Sequence, residues 1–184
     1  MRFLNAEDVL AFLGTQGRKW VNRVRHEYRP LGRTLTATES GVLARYFERS
    51  VLDNVRIAKV SRIANPDFYS VLLEQSVAIP LDFSQMAAIT LVDTILLSTT
   101  GSLPADDQLP LLFHELVHVV QYTELGVDEF VKRYLRSWAS NGFQYSAIPL
   151  EIQAYQLEAR FRSGVAAFSV SDEVKRQLTE AARS

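Results

Sequence analysis

The sequence contains no cysteine. This absence excludes disulfide bonds, thiol catalysis, iron–sulfur clusters and zinc sites built on cysteine. Any metal site must therefore be built from histidines and carboxylates. Histidine is scarce as well: only His26, His114 and His118 are present, so a site with three imidazoles would have to include His26.

Basic residues are missing from the middle of the chain. Residues 63–130 hold no Lys or Arg and 10 Asp or Glu, whereas residues 1–62 hold 12 basic and 6 acidic residues and residues 131–184 hold 8 and 5. We expect the acidic middle to pack against its basic flanks in one fold, and it would also attract a cation. Because the net charge is −1 and few aromatic residues lie among the arginines of residues 18–33, we expect no nucleic-acid partner.

A long hydrophobic run is absent too. The most apolar stretch, Met86 to Thr100, has 15 residues and includes Asp93, which makes it too short and too polar to span a bilayer core of ~30 Å. Near the start of the chain, Asn5, Glu7 and Asp8 interrupt the apolar run that a signal peptide needs. We therefore expect a soluble, cytoplasmic protein without a membrane partner.

The order of predicted elements is helices, then a small β element, then helices, which indicates an α+β fold. Asn5 can cap a first helix that ends at Leu13, before Gly14. Residues 86–98 are rich in β-branched side chains and predict either one long strand or a tight hairpin about Val92 and Asp93. An apolar stripe from residue 109 to 120 predicts a helix that ends near Gly126, and a further helix is predicted over residues 149–161.

The most informative residues are His114-Glu115-Leu116-Val117-His118, an H-E-x-x-H motif. On a helix the two imidazoles are one turn apart and can bind one Zn²⁺ at ~2.0–2.1 Å. Glu115 is turned by about 100° from His114, where it can contact a metal-bound water as a general base. Random placement of these residues gives only about 0.003 expected matches in the chain. The alternative is a buried histidine pair whose partners are carboxylates.

A zinc site that stays open to water needs a third protein ligand, and four residues are candidates. Glu124 occupies the position of the third histidine in the extended motif, but Gln121 stands where that motif has its helix-breaking glycine. His26 lies among arginines and is better explained as a surface residue. We favour Glu151, in the first turn of the predicted 149–161 helix, because small Ala154 beside it lets this helix approach the motif helix closely. Glu158, two turns later, is then an acceptor for an imidazole N–H or an alternative ligand.

The run Leu112 to Tyr122, followed by Pro149 to Tyr155, resembles the small gluzincin-type zinc metallopeptidases of bacteria. It is similar to the peptidase domain associated with extracellular contractile injection systems, and the later Glu-x-x-Ala pattern is similar to the ImmA/IrrE metallopeptidases. The resemblance covers about residues 86–162. It implies a zincin-like fold, mostly helical with a small sheet or hairpin beside the active-site helix. It also implies that His114, His118 and Glu151 are zinc ligands and that Glu115 is the catalytic base.

These observations predict one domain over residues 1–184. It would consist of an N-terminal helical or mixed part without an assigned role (residues 1–85), a zincin-like metal-binding core (86–162) and a C-terminal helix (163–184). The expected function is that of a zinc-dependent hydrolase, a metallopeptidase acting on a peptide or protein. The alternative is a catalytically inactive zincin-fold module that serves interaction or assembly.

A peptidase also needs a donor for the oxyanion that forms during hydrolysis. The candidates from the sequence are Tyr122, Tyr145, Tyr155 and Arg160. We favour Tyr155 because it is one helical turn after Glu151, with aromatic packing as its alternative role. The sequence gives no indication of the oligomeric state.

Overall fold

The computed structural model describes residues 5–77, 81–100, 104–140, 144–164 and 166–181. Within these ranges the chain is mostly helical and has one three-stranded sheet, so the α+β prediction is confirmed. In chain order the elements are α1 (Ala6–Tyr28), α2 (Ala37–Leu43), α3 (Arg49–Asn54), β1 (Arg56–Val60), α4 (Tyr69–Glu74), β2 (Ala88–Leu91), β3 (Thr94–Ser98), α5 (Ala105–Ser140), α6 (Pro149–Arg162) and α7 (Val170–Ala181). None of the described helices combines the length and the apolar character that crossing a membrane requires.

The sheet has the strand order β1-β3-β2, with β1 parallel and β2 antiparallel to β3. Strands β2 and β3 form a tight hairpin, so the hairpin interpretation of residues 86–98 is confirmed and that of a single long strand is wrong. The turn residue Val92 has a φ of 63°, a region that a β-branched residue rarely adopts. Val92 also packs on the core. The Asp93 carboxylate forms ion pairs with Arg25 of α1 and with Arg29, which directly follows α1. Tertiary contacts therefore stabilise a turn that its own sequence does not favour.

Helix α1 is much longer than the sequence predicted. The expected end at Leu13 is wrong, because the helix continues through Gly14 to Tyr28. A glycine inside a helix costs only about 1 kcal/mol relative to alanine. The buried Trp20 and Val21 lie beyond that point and anchor the rest of the helix against the core. Burial of this second half outweighs the local cost of the glycine.

Helix α5 is bent at Gly126, which has a φ of 70° and a ψ of 166°. The predicted end of a helix near this residue is thus confirmed as a break in helical geometry. We call residues 105–125 the first limb of α5 and residues 127–140 its second limb. The first limb is buried along Phe113, Leu116 and Val117, between the sheet and α6.

Ion pairs join the acidic middle of the chain to its basic flanks, as the charge distribution predicted. The strongest geometry is that of Asp93, whose carboxylate lies 2.6 Å from two nitrogens of Arg25 and 3.1 Å from Arg29 Nη1. Further pairs of this kind are Arg18–Asp128, Arg23–Asp67, Arg162–Asp107 and Lys175–Glu124.

Replacing Asp93 by Asn is expected to lower the free energy of unfolding by about 1–2 kcal/mol at pH 7, as urea unfolding would measure it. Burial alone would raise the pKa of Asp93, but Arg25 and Arg29 lower it below its ordinary value. The contribution of Asp93 is therefore present above its unfolded pKa of about 3.9 and is lost as the pH falls through the lower folded pKa. The difference between wild type and variant should accordingly shrink at acidic pH.

The matched control for this variant is Asp67→Asn, which removes another bidentate pair with an arginine of α1. Both partners of that pair are largely exposed to solvent, so we expect a smaller loss of stability. Equal losses for the two variants at pH 7, or a loss for Asp93→Asn that does not change with pH, would contradict this account of the hairpin.

Candidate metal centre

The two histidines of the H-E-x-x-H motif lie on the first limb of α5 and face the same point. The side chains of His114 and His118 are buried, and their Nε2 atoms are 3.1 Å apart. At this distance two protonated imidazoles would repel each other strongly, and so would the lone pairs of two neutral ones. One proton or one metal ion held between the two Nε2 atoms avoids both kinds of repulsion.

Helix α6 brings the third member of the group to this point. Glu151 Oε2 lies 3.3 Å from His114 Nε2 and 3.4 Å from His118 Nε2, and the Glu151 side chain is buried. Two features let α6 approach α5 closely. Ala154, which is fully buried, has a side chain small enough to leave room between the helices, and Phe161 stacks on Phe113 with ring centroids 4.5 Å apart. Pro149 starts the helix, so that Glu151 falls in its first turn.

The spacing of these three atoms fits a tetrahedral metal ion. Ligands at roughly 2.0–2.1 Å from zinc, separated by the tetrahedral angle, are about 3.3–3.4 Å from each other. The observed separations are 3.1, 3.3 and 3.4 Å. In addition, Glu151 Oε2 is buried and has no hydrogen-bond partner among the described residues, which a native protein rarely tolerates. The group His114, His118 and Glu151 could therefore hold a metal ion.

The outer nitrogens of both imidazoles are also bound. Glu158 Oε2 lies 3.2 Å from Nδ1 of His114, and Gln121 Oε1 lies 2.8 Å from Nδ1 of His118. If each Nδ1 donates a proton to these acceptors, each Nε2 keeps its lone pair directed at the shared point. Gln121 is fully buried and its amide nitrogen donates to the carbonyl of Leu150 and to Gln153, which ties the site to α6.

The charges of the group favour a cation. Burial alone lowers the pKa of His114, but Glu151 and Glu158 outweigh it and raise that pKa to about 10. Burial alone raises the pKa of Glu151, but His118 and His114 lower it well below its ordinary value. A metal ion would displace protons from the histidines, because imidazole binds a metal only in its neutral form.

Glu115 lies beside the group without belonging to it. Its carboxylate is buried and accepts a hydrogen bond of 2.6 Å from Thr90 Oγ1 of strand β2. Among the described residues, neither Glu115 nor Glu151 forms an ion pair with a Lys or Arg. The basic partners of Glu151 are the two histidines, and Glu115 has none among the described residues. Burying both carboxylates is costly, and a divalent cation would offset that cost.

The tyrosines proposed as oxyanion donors occupy different places. The Tyr155 ring packs on the His114 ring, with centroids 4.5 Å apart, and is half exposed. Tyr145 lines both cavities at the site, and burial together with Glu151 raises its pKa. Tyr122 is buried and stacked on Phe130, with ring centroids 3.7 Å apart.

The remaining sequence candidates lie outside the group. Arg160 pairs with Glu173 and covers the Phe168 ring, so it has partners away from the site. Helix α5 continues through Gln121, and Glu124 contacts Lys175 rather than the histidines. His26 is exposed on α1.

Three residues of the site carried no recognised signal in the sequence. Gln121 was considered only as a missing glycine, although it lies one turn after His118 on the same helix face. Thr90 comes from β2 and Tyr134 from the second limb of α5, beyond the break at Gly126; the Tyr134 hydroxyl donates to Glu151 Oε1 at 3.0 Å. No local pattern could have connected these two residues to the motif.

Two cavities reach the group from different sides. One, of about 120 Å³, is largely apolar and touches Glu115, His118 and Glu151. The other, of about 380 Å³, touches His114, Glu115, Tyr155 and Glu158. Glu115 and Tyr145 line both cavities, so a ligand that extends from one cavity to the other would pass the candidate metal position.

Comparisons of this chain with family models, with curated proteins and with solved structures find no match.

Proposed function

We propose that this chain is a zinc-dependent hydrolase, and specifically a zincin-like metallopeptidase of the gluzincin type. The observation that carries the proposal is the buried triangle of His114 Nε2, His118 Nε2 and Glu151 Oε2, whose separations fit a tetrahedral ion. Two imidazole nitrogens and one carboxylate oxygen are ligand types that suit zinc. Three protein ligands would leave a fourth position free for chemistry.

When bound, zinc supplies a Lewis acid that polarises a carbonyl and lowers the pKa of water. The residues of the chain perform the other tasks. Glu115 is held by Thr90 next to the group and accepts the proton of the attacking water. Tyr145, between the two cavities, is positioned beside a substrate that spans them, and Tyr155 borders the larger cavity. Tyr134 orients the Glu151 carboxylate through its hydrogen bond.

Access to the site supports the catalytic proposal over an inert interaction module. A module stabilised by metal would close its site with a fourth side chain. Here two cavities reach the group, and Glu158 contacts the outer nitrogen of His114, on the side of the ring away from Glu151. A substrate could thus approach from the larger cavity and extend into the smaller one.

Removal and return of the metal tests this proposal. The zinc-loaded protein is expected to cleave members of a random peptide library, to stop when a chelator removes the zinc, and to recover when zinc is returned. Mass spectrometry of the products measures cleavage. Cleavage that persists without metal would contradict the proposal, and so would complete absence of cleavage by protein that carries one zinc per chain. The second result would favour the inactive module.

A further inference from the structure

The smaller cavity is a chamber built largely by parts of the chain outside the H-E-x-x-H region. Leu13, Trp20 and Val21 of α1 form one wall, and Val131 and Leu135 of the second limb of α5 form another. Its inner end is Glu115, His118 and Glu151. Helix α1, to which the sequence assigned no role, therefore contributes directly to the candidate active site.

The walls of this chamber are aliphatic and aromatic. Among the described residues that line it, the only carboxylates and the only imidazole are those of the candidate metal centre, and no Lys or Arg is present. A charged group inside the chamber would lose its hydration, and away from the candidate metal centre the described lining offers as side-chain partners only the hydroxyls of tyrosines and of Thr90 and the indole N–H of Trp20, so its burial is costly. An apolar group would be stabilised in proportion to the apolar area that it removes from water.

The size of the chamber limits the occupant to one side chain. Its volume of about 120 Å³ is slightly below that of an engineered protein cavity of roughly 150 Å³ that binds benzene. A phenyl ring or a branched aliphatic group matches this size, whereas a folded segment or a long acyl chain exceeds it.

We propose that the chamber formed by α1 and the second limb of α5 binds one bulky apolar side chain of the substrate, next to the bond that is hydrolysed. The occupant is a phenylalanine- or leucine-sized residue of a peptide, and the remainder of the peptide lies in the larger cavity. This inference rests on the proposed hydrolase function. It adds that α1 determines the specificity of the site.

Two hydroxamates test the inference by binding rather than by activity. One carries a benzyl group beside the metal-binding head and the other carries a methyl group. Calorimetry with the zinc-loaded protein is expected to give a dissociation constant about 10- to 100-fold lower for the benzyl compound, from the burial of the ring. Each variant below is measured with the same two compounds.

Glycines of α1 offer a matched pair of variants. Gly17 lines the chamber, and a Cβ built there would meet Val131 Cγ1 at 3.4 Å, an ordinary contact, so Gly17→Leu should partly fill the chamber. Gly14 lies on the same helix, and a Cβ there meets no atom within 4 Å. Gly17→Leu is expected to bring the ratio of the two dissociation constants close to one, and Gly14→Leu to leave it unchanged.

A second variant, which enlarges the chamber, keeps the inference testable if Gly17→Leu does not fold. Leu135→Ala removes part of the wall and is expected to strengthen the binding of a naphthylmethyl hydroxamate relative to the benzyl compound. Equal affinity of the wild type for the benzyl and methyl compounds would overturn the inference and leave the proposed function intact. Failure of both compounds to bind, together with absence of stoichiometric zinc, would overturn both.

Discussion

Replacing Glu115 by Gln is expected to lower kcat about 10²- to 10⁴-fold on a peptide that the wild type cleaves, while one zinc per chain is retained. The amide has nearly the shape of the carboxylate and its oxygen can still accept the hydrogen bond from Thr90. It cannot accept a proton from water at neutral pH, so the general base is lost. Because Glu115 lies outside the His114, His118 and Glu151 group, zinc affinity should change little.

The matched control is Glu124→Gln, the same chemical change on the same limb of α5. Glu124 contacts Lys175 and lies outside the group, so neither zinc content nor kcat should change. Unchanged hydrolysis by Glu115→Gln would contradict the assignment of the base. Loss of zinc from this variant would instead show that Glu115 is a ligand.

Replacing Glu151 by Gln is expected to weaken zinc binding more than about 100-fold, beyond the 10- to 100-fold that loss of an outer hydrogen-bond partner typically costs. The amide removes the negative charge that faces both imidazoles at 3.3 and 3.4 Å. Its oxygen can keep the hydrogen bond from Tyr134, so the local structure should persist. Competition with a chromophoric chelator measures the affinity.

Glu158→Gln provides the comparison for this prediction. Glu158 contacts only the outer nitrogen of His114 within the group, so its loss should weaken zinc binding by no more than about 10- to 100-fold. The expected order of the losses is Glu151→Gln, then Glu158→Gln, with Glu124→Gln without effect. A larger loss of zinc affinity for Glu158→Gln than for Glu151→Gln would contradict this assignment and would indicate that Glu158, not Glu151, is the metal ligand.

The parts of the site that the sequence predicts depend on short spacings within a helix. His114 and His118 are brought together by one turn of α5, and no tertiary contact is needed to know that they face the same side. The position of Glu151 required one further inference, that small Ala154 lets a second helix approach. Both the helix and the approach are present in the structure.

The parts that the sequence does not predict depend on contacts between distant segments. The hydrogen bond from Thr90 to Glu115 requires β2 to lie beside α5, and the chamber requires α1 to reach the second limb of α5. The length of α1 was underestimated for the same reason. Gly14 is a local stop signal, and only the tertiary burial of Trp20 and Val21 shows that the helix continues through it.

The central claim is that two imidazoles and one carboxylate bind a zinc ion and leave one position open. Anomalous diffraction from crystals of the purified protein, recorded on both sides of the zinc absorption edge, tests it most directly. The account predicts one zinc per chain, at roughly 2.0–2.2 Å from His114 Nε2, His118 Nε2 and a Glu151 oxygen, without a fourth protein ligand. Absence of an anomalous peak between these three side chains in zinc-supplemented crystals, or a fourth side chain that closes the site, would contradict it.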